Sequence, residues 1–173
     1  SIMISYKTLN KDNPKLNCRL SGLEKFSPKR IILDNNLDTK INSYIFSTAN
    51  KDNTIIFYNN ANKEKITLFK KKGIQLIKSN LTKIKYFDLK LVLKKLYKIG
   101  IRNILVEGGN DLSGSFLKNN FLNQFYLFKS PKILTKSVPY KDFNHIKYLI
   151  HNYRIKSKIN NRLTKDTITL YKN

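Results

Sequence analysis

The run Asn103-Ile104-Leu105-Val106 passes directly into Glu107-Gly108-Gly109-Asn110-Asp111, so an apolar strand ends in a carboxylate and two glycines and then opens a helix toward Lys118. A strand that feeds a helix through a glycine turn limits the fold, because it places the ends of a sheet beside free backbone N–H groups. Glycine lets backbone approach a ligand closely, and a helix N-terminus favours an anion, so the turn is suited to a phosphate. Ser113 and Ser115 add hydroxyls to the same stretch. Taken alone, a Gly-Gly pair after a strand is more often the mark of an ordinary tight turn.

Strand patterns bounded by turn residues recur at Ile2–Ser5, Arg30–Leu33, Thr54–Tyr58, Ile74–Ile77, Asn103–Val106, Gln124–Phe128 and Thr167–Tyr171. Phe87–Tyr97 carries apolar residues at helical spacing, with Gly100 as its stop, and Asn62–Lys72 is a weaker helix. Strands alternating with helices predict an α/β sheet that binds ligands at the carboxyl ends of its strands. The sequence shows neither an internal repeat nor a dividing linker, so residues 1–173 are expected to form a single domain. The aromatic strand Phe125-Tyr126-Leu127-Phe128 reads either as core or as an edge that a second copy covers.

A net charge of +23 ordinarily points to nucleic acid. Here the basic residues run through every segment, and only five of the 34 are arginine (Arg19, Arg30, Arg102, Arg154, Arg162). With Lys, Asn and Ile in excess together, the charge is read as compositional drift, and nucleic acid is not the expected partner. The single cysteine, Cys18, precludes an internal disulfide, and neither it nor His145 and His151 suggests a metal site. No membrane span or signal peptide is evident, and a cytoplasmic location is the expectation.

Three separated segments together resemble the reductase domain of the bifunctional riboflavin-biosynthesis deaminase/reductase proteins. Thr8-Leu9-Asn10-Lys11-Asp12-Asn13-Pro14-Lys15-Leu16-Asn17-Cys18-Arg19 is similar to that family's Thr, Asp-Asp/Asn-Pro, Leu and Arg pattern. Pro28-Lys29-Arg30-Ile31-Ile32-Leu33-Asp34-Asn35 resembles its Pro-x-Arg strand ending in Asp. Val106-Glu107-Gly108-Gly109 with Leu112, Phe116 and Leu117, then Ser130-Pro131-Lys132-Ile133-Leu134, resembles its glycine turn and later proline turn.

The resemblance implies a dihydrofolate-reductase-like mixed sheet flanked by helices, usually assembled as a homodimer. It also implies reduction of 5-amino-6-(5-phosphoribosylamino)uracil to 5-amino-6-(5-phosphoribitylamino)uracil by NADPH. Carried over by position, Thr8, Asp12 and Asn35 line the cofactor, and Gly109, Asn110, Asp111, Leu112, Ser113, Gly114 and Ser115 wrap its phosphates. Leu16, Arg19 and Glu107 contact the phosphorylated ribosylaminopyrimidine substrate. These roles suit the chemistry, since Arg19 offers a fork of donors to a phosphate monoester and Glu107 accepts from hydroxyls or ring N–H groups. No general acid is assigned, because the nicotinamide brings the reducing power and the protein brings alignment.

Each residue also has a plainer reading. Asp12-Asn13-Pro14 is a turn by composition, Asp34 a strand-end cap, Thr8 a strand-end hydroxyl and Arg19 a surface cation. The family's domain opens with a further strand, a Ser-Leu-Asp-Gly-like turn and a helix. Residues 1–173 begin after that pattern, and the expectation is an N-terminally incomplete reductase domain, with the deaminase fused or separate. Two other functions compete: a basic nucleic-acid-binding protein, and a pterin reductase of the same fold.

Overall fold

The computed structural model describes residues 1–131, 145–160 and 165–173. Lys132–Leu134 of the proline turn lies outside the described residues. The chain divides into two compact units, Ser1–Gly109 and Asn110–Asn173.

The first unit is a five-stranded parallel sheet built from β1 (Ile2–Ser5), β2 (Arg30–Leu33), β3 (Thr54–Tyr58), β4 (Gln75–Lys78) and β5 (Leu105–Val106), in the order β4-β3-β2-β1-β5. β1 is central to the register, with Met3 opposite Ile31 on one side and Val106 on the other. All four residues of β2 are buried, as are four of five in β3, which is the pattern of a parallel sheet covered on both faces. On one face Ile4, Ile32 and Ile56 pack with Leu9, Ile45, Phe46 and Phe69. Those four come from the helices α1 (Tyr6–Asp12), α2 (Tyr44–Ser47) and α3 (Lys63–Lys71). The alternate set, Met3, Ile31, Ile55 and Phe57, is buried as well. A fourth helix, α4 (Leu89–Lys98), buries Leu89, Val92 and Leu96; the apolar side read from the sequence, Leu89, Leu93, Leu96 and Tyr97, is turned, with Val92 inside and Tyr97 63% exposed.

α1 was not anticipated. Thr8 and Asp12, expected at a strand end and in a turn, lie on this helix, which Ser5 caps by accepting from the Thr8 N–H. Asn13 ends it in a left-handed conformation with Pro14 next, so the Asp-Asn-Pro run acts as a helix stop. At the opposite, amino-terminal edge of the sheet, the buried Arg30 guanidinium donates to Thr48 Oγ1 (2.8 Å), Thr48 O (3.1 Å), Asn53 Oδ1 (2.8 Å) and Thr54 Oγ1 (2.8 Å). Burial holds its pKa below the usual value, and its partners are all neutral, which makes it a clamp on the Thr48–Thr54 turn.

The second unit carries β6 (Gln124–Lys129), β7 (Ile155–Ile159) and β8 (Thr167–Lys172) as an antiparallel sheet in the order β6-β8-β7. It also contains two helices, α5 (Asn110–Lys118) and α6 (Ile146–Asn152). Its core gathers Leu117, Leu149, Tyr153 and Tyr171, with Phe125 and Leu127 packed against them. Tyr153 donates to Leu122 O at 2.9 Å, and burial raises its pKa. Parallel and antiparallel pairing both occur, as a mixed α/β fold requires.

After β2 the chain turns on Asp34, which is fully buried and accepts from the Asp38 N–H (2.8 Å), the Thr39 N–H (2.7 Å) and Thr39 Oγ1 (2.7 Å). Burial raises its pKa above the ordinary carboxylate value, with the three hydrogen bonds opposing that shift. Asp34→Asn turns an amide N–H toward one of these donors and is expected to cost about 1–3 kcal/mol in urea unfolding. The folded state holds the Asp34 proton more tightly than the unfolded chain does. The margin of wild type over Asp34→Asn therefore shrinks as pH rises from the ordinary carboxylate value through the raised folded value. A margin that grows over that range contradicts the assignment.

Candidate functional site

Of the residues singled out in the sequence, Thr8, Asn35, Glu107 and Gly109 lie at the carboxyl edge of the parallel sheet. β5 leaves the sheet at Glu107, whose N–H still donates to Met3 O (3.0 Å), and Gly108 follows with φ +129°. That backbone angle is one side chains rarely adopt. The reason for the glycine is visible across the turn: a Cβ at Gly108 lies 3.2 Å from Thr8 Oγ1. Gly109 is roomier, with Thr8 Oγ1 at 3.9 Å from the same construction. Thr8 Oγ1 is also 3.2 Å from Ser5 Oγ, so a pair of hydroxyls sits against the glycine turn. The first and third sequence segments, about 100 residues apart, thus meet through Thr8 and the turn. Ser5 was missed in the sequence; the signal was its spacing of three from Thr8, that of an N-cap.

Beyond α1, Asn13 Oδ1 accepts from the Tyr44 N–H at 2.7 Å, and Leu16, also left-handed (φ 48°), packs against the core cluster of the first unit. Asn17, overlooked in the sequence, has a buried Oδ1 with no hydrogen-bond partner. Asp12 and Arg19 are exposed, and among the described residues neither side chain makes a hydrogen bond or ion pair. The same holds for the exposed Glu107 carboxylate, and nothing links Glu107 directly to Arg19. An anion-seeking fork and an acceptor thus stand uncommitted on the first unit.

Asn35 follows Asp34 at the end of β2 and is half-buried. Its carbonyl accepts from the N–H groups of Asn59 (2.9 Å) and Asn60 (3.0 Å), while its buried Oδ1 has no partner. In the second unit, Asn110–Ser115 occupies the first turns of α5. Asp111 is exposed, Leu112 and Gly114 are buried, and Ser115 Oγ donates to Asp111 O at 2.8 Å. A Cβ at Gly114 meets the His145 imidazole at 2.1 Å, so this glycine makes room for a ring that the sequence had given no neighbour. Groups of three or more potential metal ligands do not occur among the described residues, and no described helix is long and apolar enough to cross a membrane.

Residues 1–152 match the family described as RibD C-terminal domain. The chain belongs to that family. Membership agrees with the resemblance carried by the three segments, and with a glycine turn at the carboxyl end of β5, the strand beside β1. The riboflavin biosynthesis protein RibD of Aquifex aeolicus (strain VF5) is 31% identical over 172 residues, covering 99% of this chain and 46% of that protein. A 5-amino-6-(5-phosphoribosylamino)uracil reductase of Buchnera aphidicola subsp. Acyrthosiphon pisum (strain APS) is 30% identical over 145 residues, or 77% of this chain and 66% of that one. Among solved structures, Acinetobacter baumannii RibD superposes with a TM-score of 0.69 at 19% identity, over 99% of this chain and 46% of that one, and so shares the fold. The RibD C-terminal domain chain therefore spans about half the length of the Aquifex relative.

The turn geometry separates its two glycines. Gly108→Ala is expected to cost about 1–3 kcal/mol of stability through backbone strain and the Thr8 contact. Gly109→Ala, with ordinary space around it, is expected to stay within about 0.5 kcal/mol. Urea unfolding of both variants checks this, and equal effects contradict the turn as described.

Proposed function

We propose that this chain is the reductase part of a riboflavin-pathway enzyme, which reduces 5-amino-6-(5-phosphoribosylamino)uracil to 5-amino-6-(5-phosphoribitylamino)uracil with NADPH. The observation that carries the reading is the Thr8 hydroxyl set against the Gly108-Gly109 turn, where two motifs of the RibD C-terminal domain family come together. The name of the Buchnera relative supports the substrate.

The residues present fit a dinucleotide. The turn brings backbone within reach of a phosphate, and Asn35 offers a buried acceptor with no partner of its own. Bound there, NADPH supplies a hydride to the imine carbon of the ring-opened sugar. Thr8, Asp12 and Asn35 hold the cofactor, and the continuous run Gly109, Asn110, Asp111, Leu112, Ser113, Gly114 and Ser115 takes its phosphates. Of that run, Gly114 contributes by admitting His145 rather than by facing a ligand. Arg19 binds the substrate phosphate, Glu107 accepts from the sugar or pyrimidine, and the Leu16 backbone lines the same substrate. Alignment of donor and acceptor carbons is the protein's main share of the catalysis.

Residues 1–173 act as one reductase domain in this reading, supported by a family match that crosses the boundary between the two units. The protein works in the cytoplasm beside a fused or separate deaminase. It pairs as a homodimer through the face of β6 that leaves Tyr126 46% and Phe128 64% exposed on a strand at the edge of its sheet among the described residues.

NADPH oxidation on addition of freshly prepared 5-amino-6-(5-phosphoribosylamino)uracil tests the reading; folded protein that binds neither compound overturns it. Arg19→Ala is expected to lower kcat/KM for the substrate by about 2–3 kcal/mol while leaving NADPH affinity unchanged. Equal weakening of both removes the phosphate role from Arg19.

A further inference from the structure

Asn10 stands on α1 midway between Thr8 and Asp12, and both ends of its amide are bonded to the turn that follows β2. Asn10 Nδ2 donates to Asp38 O at 2.8 Å, and the Lys40 N–H donates to Asn10 Oδ1 at 2.9 Å. One partner is an acceptor and the other a donor, so only one orientation of the amide satisfies both. Lys40 Nζ also donates to Asn10 O, one of the last carbonyls of the helix, at 3.3 Å. A single residue thus joins α1 to a segment 28 to 30 residues away.

The turn is a firm support for that tie. Thr39, bracketed by the two amide bonds, is itself gripped by Asp34 through its N–H and its hydroxyl. Lys65 of α3 donates to Asn36 O at 3.2 Å and pairs with Asp38 Oδ1 at 2.8 Å. Leu37 is buried in the core of the first unit. α1 is the weaker partner, with seven residues of which only Leu9 is buried. Thr8 sets its start against the glycine turn, and Asn13 Oδ1 holds the Tyr44 N–H just past its end. Asn10 is its link to the turn that carries Asn35.

These two elements carry different halves of the proposed reaction. Beyond α1 the chain runs on to Leu16 and Arg19, the proposed substrate contacts, while the turn opens on Asn35, a proposed cofactor contact. Hydride transfer needs the donor and acceptor carbons at a fixed distance and angle, and a small misplacement is costly. We infer that Asn10 is a positioning residue for the hydride step, setting the substrate-bearing segment against the cofactor-bearing turn. This rests on the reductase reading above. The Asn10 amide is committed to backbone rather than to a ligand, so its loss acts on the rate of transfer and not on affinity.

Single-turnover oxidation of bound NADPH by saturating 5-amino-6-(5-phosphoribosylamino)uracil, with separate titrations of each ligand and a melting curve, tests this in wild type, Asn10→Ala and Lys40→Met. Asn10→Ala, measured well below its melting temperature, is expected to transfer hydride about tenfold more slowly, as a loosened alignment requires. Its dissociation constants for both ligands are expected to stay within about twofold of wild type, the mark of an interaction that matters only in the transition state. Lys40→Met removes the ammonium contact, leaves the amide bonds in place and is expected to keep the wild-type rate. A wild-type rate in Asn10→Ala makes the tie structural only and overturns the inference. A loss of affinity as large as the loss of rate, or an equal slowing in Lys40→Met, overturns it as well. Wild type that binds both compounds without transferring hydride overturns the inference alone, and wild type that binds neither overturns the reductase reading with it.

Discussion

Met3 lies between Ile31 and Val106, and that double pairing of a four-residue strand is the constraint on which the candidate site depends. β1 has a partner on each side, so its register fixes where β2 and β5 end relative to one another. The Asp34-Asn35 turn, Ser5 with its capped helix, and the Glu107-Gly108-Gly109 turn consequently emerge from the same edge. A slip of one residue in β1 turns Met3 and Ile4 to opposite faces and exchanges the two buried sets, which makes the register costly to alter. Thr8 reaches Gly108 because the helix it occupies begins at once after β1, with no loop to absorb an error.

The two edges of this sheet have different chemistry. At the amino-terminal edge Arg30 spends its donors on neutral oxygens of a turn and is closed off from solvent. At the carboxyl edge polar atoms are left over: the Glu107 side chain is exposed and uncommitted, and the buried Asn35 Oδ1 and Ser79 Oγ have no hydrogen-bond partner. Asp34 belongs to the carboxyl edge by position, yet its carboxylate is consumed in shaping the turn that presents Asn35. Buried polar groups already satisfied hold the fold, whereas those left unsatisfied are where binding energy remains to be gained.

The strands were legible in the sequence for a physical reason. β1, β2 and β3 are short, apolar and bounded by turn residues, and they appear with the limits read from the pattern. β4 begins one residue later than expected, at Gln75, and β5 shortens to Leu105–Val106. α1 escaped notice because seven residues without a strong apolar stripe carry no helical period; its stability comes from the Ser5 cap and the burial of Leu9. α2 is shorter still, and β7 (Ile-Lys-Ser-Lys-Ile) alternates so much lysine that it does not read as a strand. The glycine turn was visible as a motif, but its partner Thr8 is distant in sequence, and only pairing of β1 with β5 brings them together. Ser79 had no local signal at all, since its interest lies in lacking a partner.

The central claim is that the carboxyl edge of the parallel sheet is where the cofactor binds. Amide hydrogen exchange with and without NADPH measures this directly. The account predicts slower exchange at residues 5–9, 34–36, 58–60 and 107–109, with no change around Arg30 and Thr48–Thr54. Protection confined to the Arg30 edge, or to the lysine-rich surfaces of α3 and α4, would contradict it.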